Sequence, residues 1–186
     1  MRTKMTLGLL GIVCLVAGLA HGDTIGLYAD PSGMNCNIIT SVGVVNVYVI
    51  HVTSGATASE FWAPKPACWD GATWIGDQDP FGGVCIGCGD SQTGRSRGYG
   101  MCLAGAVHIL TISYFVPAPG EPCCLYPVLP HPGSPGGEVE IVDCEFTLRI
   151  ATALTATVNG GAACPCGYPV PVEETTWGGV KALYGE

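Results

Sequence analysis

Apolar and polar positions alternate with a period of two along three stretches of this chain. In GVVNVYVIHVT, from Gly43 to Thr53, Val45, Val47 and Val49 share one face and Asn46, Tyr48 and Ile50 the other. Both faces are largely apolar, which predicts a strand with neighbours packed on each side. AVHILTISYFV, from Ala106 to Val116, reads the same way. GEVEIVDCEFTLRIATALTATVNGG alternates more cleanly, with Glu138 and Glu140 opposite Val139 and Ile141, then Phe146, Leu148 and Ile150 opposite Thr147 and Arg149. That pattern predicts a half-buried strand broken by a bulge near Asp143, followed by a partner strand from Leu154 to Val158.

Between these runs lie turn residues. PAPGEPCCLYPVLPHPGSPGG and GGVCIGCGDSQTGRSRGYG are too rich in Pro and Gly for element interiors and read as long loops. No run of a dozen residues between Asp23 and Pro171 carries a helical apolar stripe. The expected fold is therefore all-β: a disulfide-stapled antiparallel β-sandwich with long Gly/Pro-rich loops and little helix, a small β-barrel being the alternative.

The ends of the chain stand apart from that domain. MRTKMTLGLLGIVCLVAGLAHG has Arg2 and Lys4 at its start, an apolar run from Leu7 to Ala20, and small residues at Ala20 and Gly22. This is the form of a secretory signal peptide over 1–22. Its apolar run is shorter than the roughly 20 residues of a spanning helix, and Val13 before Cys14 makes lipidation there a poor fit. A domain over 23–168 follows, and 169–186 reads as a Pro-containing linker with a short tail. Cleavage would leave a secreted, periplasmic or cell-surface protein without a membrane-spanning helix.

Removal of the leader changes the charge. All 15 acidic residues remain but only Lys65, Arg95, Arg97, Arg149 and Lys181 among the basic ones, a net charge of −10 against −8 for the whole chain. That sign disfavours nucleic acid and anionic membrane as partners. Ten of the 11 cysteines remain: Cys36, Cys68, Cys85, Cys88, Cys102, Cys123, Cys124, Cys144, Cys164 and Cys166. An even count in an exported chain predicts disulfides, with a pairing that sequence does not reveal. Cys85 and Cys88 have CxxC spacing, and with Cys164 and Cys166 they make a candidate zinc site. Their glycine-rich context favours a loop cross-link over a redox dithiol, which belongs at a helix N-terminus. The adjacent Cys123 and Cys124 are expected to bridge to two different partners.

Candidate chemistry is sparse. His51 and His108 sit inside apolar strands, and His131 lies in a loop. Ser91 in GDSQTG lacks the GxSxG elbow of a hydrolase. Asp70, Asp77 and Asp79 in DGATWIGDQDPFGG are candidate calcium ligands, although their spacing is not that of an EF-hand loop. Glu138 with Glu140, and Asp143 with Glu145, are the carboxylate pairs that glycosidase chemistry would use; wetted sheet faces carry such residues too. Trp62, Trp69 and Trp74, gathered between Phe61 and Phe81, have the composition of a sugar platform or a protein-binding hot spot. The alternative is that they form local core.

DTIGLYADPSGMNCNI, CCLYPVLP, GEVEIVDC and PVEETTWGGVKALY together resemble a group of small exported bacterial proteins known mostly from environmental genomes. Thr176, Trp177, Gly178, Lys181, Leu183 and Tyr184 carry the tail pattern; Gly179 and Gly185 stand where similar tails have Arg. The resemblance implies export and a shared tail, and it implies no reaction. Trp177, Lys181, Leu183 and Tyr184 are thus candidate residues of a sorting or attachment tail. The expected function is a structural, adhesive or envelope-associated β-domain without a recognisable catalytic set and with no cofactor required. The alternatives are a module binding glycan or another envelope protein through the tryptophans and, more remotely, a hydrolase. Oligomeric state is not readable.

Overall fold

The computed structural model describes residues 22–85 and 87–166; the expected signal peptide and tail therefore fall almost wholly outside the described residues. The described chain is all-β and contains no helix. Its spine is two long antiparallel strands, β3 (Gly43–Phe61) and β6 (Arg95–Val116), paired along their whole length. Val45, Val47 and Val49 point inward as the alternation predicts, and Asn46 points out. The strand continues beyond Thr53 because β-bulges, including those between Thr53 and Ala58, bend it without ending its pairing.

Around this spine β1 (Thr24–Tyr28), β4 (Thr73–Gln78), β5 (Val84–Cys85), β8 (Val139–Asp143) and β9 (Leu148–Ala153) complete a seven-stranded sheet. β1 pairs with β3 on one side and with β9 on the other, so β1, β9, β8 and β3 close into a small barrel-like ring. A second sheet of β2 (Asn37–Ile38), β10 (Thr155–Val158) and β7 (Cys124–Pro127) packs on the first. Ile38, Tyr126, Ala156 and Val158 from the small sheet meet Val47, Val49, Ile112 and Tyr114 from the large one in a single core. The sandwich expected from sequence is thus present, with ring closure at one end of its larger sheet.

Several local expectations need correction. Asp143 does not bulge a continuous strand; it begins a hairpin turn between β8 and β9. Its carboxylate accepts the backbone N–H groups of Glu145 (3.0 Å) and Thr147 (2.8 Å), and Phe146 takes a left-handed backbone with φ 62°. After the turn the expected apolar face does not point inward; Thr147 to Ile150 are all exposed. Leu148 and Ile150 oppose Val142 and Glu140 and are exposed, at 63% and 66%. The strand from Thr155 exists, but it leaves for the small sheet, where it pairs with β7 and β2. The segments read as long loops contain three strand stretches, Val84–Cys85, Arg95–Gly100 within β6, and Cys124–Pro127, and Thr73–Gln78 beside the candidate calcium ligands is strand as well. Pairing of β6 to β3 on one edge and to β4 and β5 on the other outweighs the strand-weakening glycines.

Five disulfides staple the loops: Cys36–Cys166, Cys68–Cys124, Cys85–Cys88, Cys102–Cys144 and Cys123–Cys164. Cys123 and Cys124 do bridge to different partners. Cys85 and Cys88 bond to each other, and Cys164 and Cys166 each go elsewhere, so the four thiols form no zinc site.

Candidate functional site

The tryptophan and aspartate region does not build an open platform. Trp69 is fully buried, its ring tilted against that of Tyr114 at 4.8 Å and edge-on to Tyr126 at 6.0 Å. It is core, which corrects its reading as a ligand contact. Trp62 and Trp74 are half-buried. The Trp62 indole N–H donates to the Gln92 carbonyl (2.8 Å) and that of Trp74 to Asp77 Oδ1 (3.1 Å). Both polar handles of a sugar platform are used internally.

The acids beside them hold the loop that follows β4. Asp77 accepts the Ser91 hydroxyl (2.8 Å) and the Ser91 backbone N–H (2.6 Å). Asp79 takes both oxygens to Arg95 Nη2, at 2.6 and 2.7 Å, and meets Arg97 Nη1 at 2.6 Å. Arg95 also donates to the Gly89 carbonyl and Arg97 to that of Phe81. Gln92 carries the network inward by donating to Tyr114, whose hydroxyl lies 2.7 Å from that of Tyr126. Burial pushes Tyr114 up to about 12 and Tyr126 well above its usual value, so both remain neutral phenols. Ser91 is fully buried, and its hydroxyl is bonded to a carboxylate. Of the candidate calcium ligands, Asp77 and Asp79 face these guanidinium and hydroxyl groups, and Asp70 is exposed. No group of three or more metal-ligating side chains gathers among the described residues.

The histidines are dispersed. His51 is fully buried on β3, its Nδ1 3.0 Å from the Tyr99 hydroxyl and its Nε2 without a hydrogen-bond partner. Burial lowers its pKa to about 4, so it is neutral at ordinary pH. His108 contacts Thr111 Oγ1 at 3.0 Å and the ring of Tyr48 edge-on; burial lowers its pKa as well. Of the carboxylate pairs, Glu138 and Glu145 are exposed while Asp143 is bound in its turn and to Arg149 Nε at 2.6 Å. Backbone hydrogen bonding from Thr147, with Arg149 nearby, holds Asp143 below the usual carboxylate range.

The outer face of the large sheet is different. Toward one end, Val44 on β3 and Phe115 on β6 are directly opposed and exposed, at 63% and 47%, with the exposed Ile75 of β4 nearby in sequence to Thr73, the cross-strand partner of Phe115. Toward the other end, register generates two adjacent rows. Leu148, Val142, Ala58, Gly98 and Val84 oppose one another across β9, β8, β3, β6 and β5. Beside them run Ile150, Glu140, Glu60 and Ser96. A cleft of about 160 Å³ lies here, lined by Ala58, Glu60, Glu140, Val142 and Leu148 among others. Glu60 and Glu140, 80 positions apart, are directly opposed, a juxtaposition invisible to sequence spacing.

No protein-family model matches the chain, and no curated protein matches it. Among solved structures it is similar to the cohesin module of a family 33 glycoside hydrolase from Clostridium perfringens, at 4% identity and TM-score 0.45, covering 75% of this chain and 98% of that one. It is also similar to the sixth cohesin of Acetivibrio cellulolyticus scaffoldin B, solved in complex with a Cel5 dockerin, at 12% identity and TM-score 0.48, covering 75% and 99%. A third is a non-cellulosomal cohesin from the archaeon Archaeoglobus fulgidus, at 10% identity and TM-score 0.47, covering 76% and 93%. These superpositions are too loose to transfer a function, and the architecture rests on the chain's own strand pairing.

Proposed function

We propose that this chain is an exported, disulfide-locked binding domain of adhesive or envelope-associated type, whose working surface is the outer face of the seven-stranded sheet. The observation that carries the reading is the exposed cross-strand pair Val44 and Phe115, with Ile75 also exposed on the neighbouring β4. Apolar side chains that a sheet leaves uncovered on one face are the usual core of a protein-docking patch. Groups able to do chemistry are meanwhile committed inside: Ser91, Asp77 and Asp79 to the loop network, and His51 to the core. Five disulfides suit an oxidising compartment. A C-terminal segment carrying Trp177, Lys181, Leu183 and Tyr184 fits the same picture as an attachment or sorting element.

The test is retention of the exported protein on the envelope of the cells that make it, comparing wild type with the double variant Val44→Ser, Phe115→Ser. The reading expects retention to fall at least tenfold while thermal unfolding stays unchanged. Equal retention would overturn it. Binding on a glycan array that depends on Trp62 and Trp74 would favour the sugar-binding alternative.

A further inference from the structure

We propose that the Cys85–Cys88 disulfide is a thiol-exchange site: an external thiolate attacks the Cys88 sulfur and becomes covalently joined there, with Cys85 as the leaving thiolate. The site lies apart from the Val44 and Phe115 patch and does not rest on the binding-domain reading.

Exposure singles this bridge out. Both of its cysteines are exposed, whereas each of the other four bridges has at least one buried or half-buried cysteine, Cys36, Cys124, Cys144 and Cys164 among them. Exchange requires a sulfur that a thiolate can reach. The other bridges join residues 41 to 130 positions apart, so opening any of them frees a long loop. Cys85–Cys88 spans three positions. It therefore opens with the rest of the fold in place.

Local structure distinguishes the two sulfurs. Cys88 stands between Gly87 and Gly89, two residues without side chains. Gly87 has a left-handed backbone, φ 66°, and nothing lies within 4 Å of where a Cβ would be, so the approach to Cys88 is open on that side. Cys85 is held instead. It is the last residue of β5 and pairs with Arg97 of β6. The Arg97 side chain runs beside the start of the same strand: Nη2 donates to the Phe81 carbonyl at 2.9 Å, and a Cβ on Gly83 would lie 3.2 Å from Nε. Asp79 takes Nη1 at 2.6 Å, while Nε is buried and has no hydrogen-bond partner among the described residues. A guanidinium with an unspent N–H beside β5 favours the negative charge that the leaving sulfur acquires.

The step balances without an oxidant. The external sulfur forms its bond to Cys88 Sγ with its own electron pair, the Cys85–Cys88 bond breaks, and that bond's pair stays on Cys85 as thiolate. One disulfide replaces another. Attack by Cys85 on the mixed disulfide releases the thiol again, so the attachment is covalent and reversible.

The experiment incubates the full mature chain with millimolar glutathione, quenches in acid and maps unreduced peptides by mass spectrometry. Glutathione on Cys88 with a free thiol at Cys85, formed at least tenfold faster than any adduct at the other eight cysteines, supports the site. Cys85→Ser with Cys88→Ser should remove that adduct and still unfold cooperatively. No adduct, or adducts spread evenly over the ten cysteines, overturns the proposal. Glutathione on Cys85 overturns it too, because Cys88 would then be the leaving sulfur. A second arm replaces glutathione with envelopes of the cells that make the protein. A reductant-sensitive species of higher mass, absent from the double-serine variant, identifies a protein thiol as the source; exchange with glutathione alone identifies a small thiol. Val44→Ser with Phe115→Ser should leave glutathione exchange unchanged, so failure of this proposal and failure of the binding-domain reading are seen separately.

Discussion

The hydroxyls of Tyr114 and Tyr126 lie 2.7 Å apart across the interface of the two sheets, Tyr114 on β6 and Tyr126 on β7. Tyr126 also donates to the Ala63 carbonyl at 3.0 Å, and the Trp69 ring packs tilted against Tyr114. One buried polar link thus ties both sheets to the segment after β3. Tyr126→Phe leaves the Ala63 carbonyl without its donor and the Tyr114 O–H without its acceptor in the core. The expected cost is about 2 kcal/mol, read by urea unfolding; a neutral result would mean that water replaces the lost hydroxyl. Trp69→Ala should cost more, about 4 kcal/mol, since it empties the centre of the core.

Arg95 and Asp79 fix the loop between β4 and β6. Asp79→Asn removes the charge that two nearly buried guanidiniums share, at side-chain exposures of 9% for Arg95 and 10% for Arg97. Breaking such a pair strands a buried cation. A loss of about 3 kcal/mol is expected, together with faster amide exchange over Phe81 to Gly94. Unchanged exchange there would show that the strand pairing of β5 and the Asp77–Ser91 hydrogen bonds hold the loop without the Asp79 ion pairs.

His51 predicts an acid-sensitive stability. Its folded pKa of about 4 lies below the ordinary value of 6.5, so the unfolded chain binds the proton first as pH falls. The stabilising contribution is complete above about pH 6.5 and is lost progressively down to about pH 4, amounting to about 3 kcal/mol. His51→Phe should flatten the stability profile across that window. Asp30 and Asp143, both held below the usual carboxylate range, add acid sensitivity at still lower pH. An unaltered slope between pH 6.5 and 4 in the variant would contradict the assignment.

Loop length ranks the disulfides. Cys36–Cys166 spans 130 positions and Cys85–Cys88 only three. By chain entropy their removal should cost about 5 and about 2 kcal/mol respectively. Serine pairs at each site, compared by guanidinium unfolding, test that order; the reverse order would contradict it.

The core strands were legible because Val45, Val47 and Val49 declare a buried face by period alone. The pairing of these ten cysteines as disulfides and the separate partners of Cys123 and Cys124 were legible too, although the pairs themselves were not. What sequence concealed depends on register. Leu148 and Ile150 alternate with Arg149 like a core face, and only the turn at Asp143 sends them outward. Glu60 and Glu140 meet because β3 and β8 pair at that position, which no local pattern encodes. Trp69 and Trp74 look equivalent in composition, yet one is fully buried beneath Tyr114 and the other half-exposed on β4. Indole composition does not distinguish a platform from a core.

The most direct test of the outer sheet face as the proposed working surface is hydroxyl-radical footprinting of the protein, free and incubated with envelopes of the cells that make it. The account predicts protection of Val44, Ile75 and Phe115, with Trp62 and Trp74 unchanged. Protection of Trp62 and Trp74 with Val44 and Phe115 still reactive would contradict it.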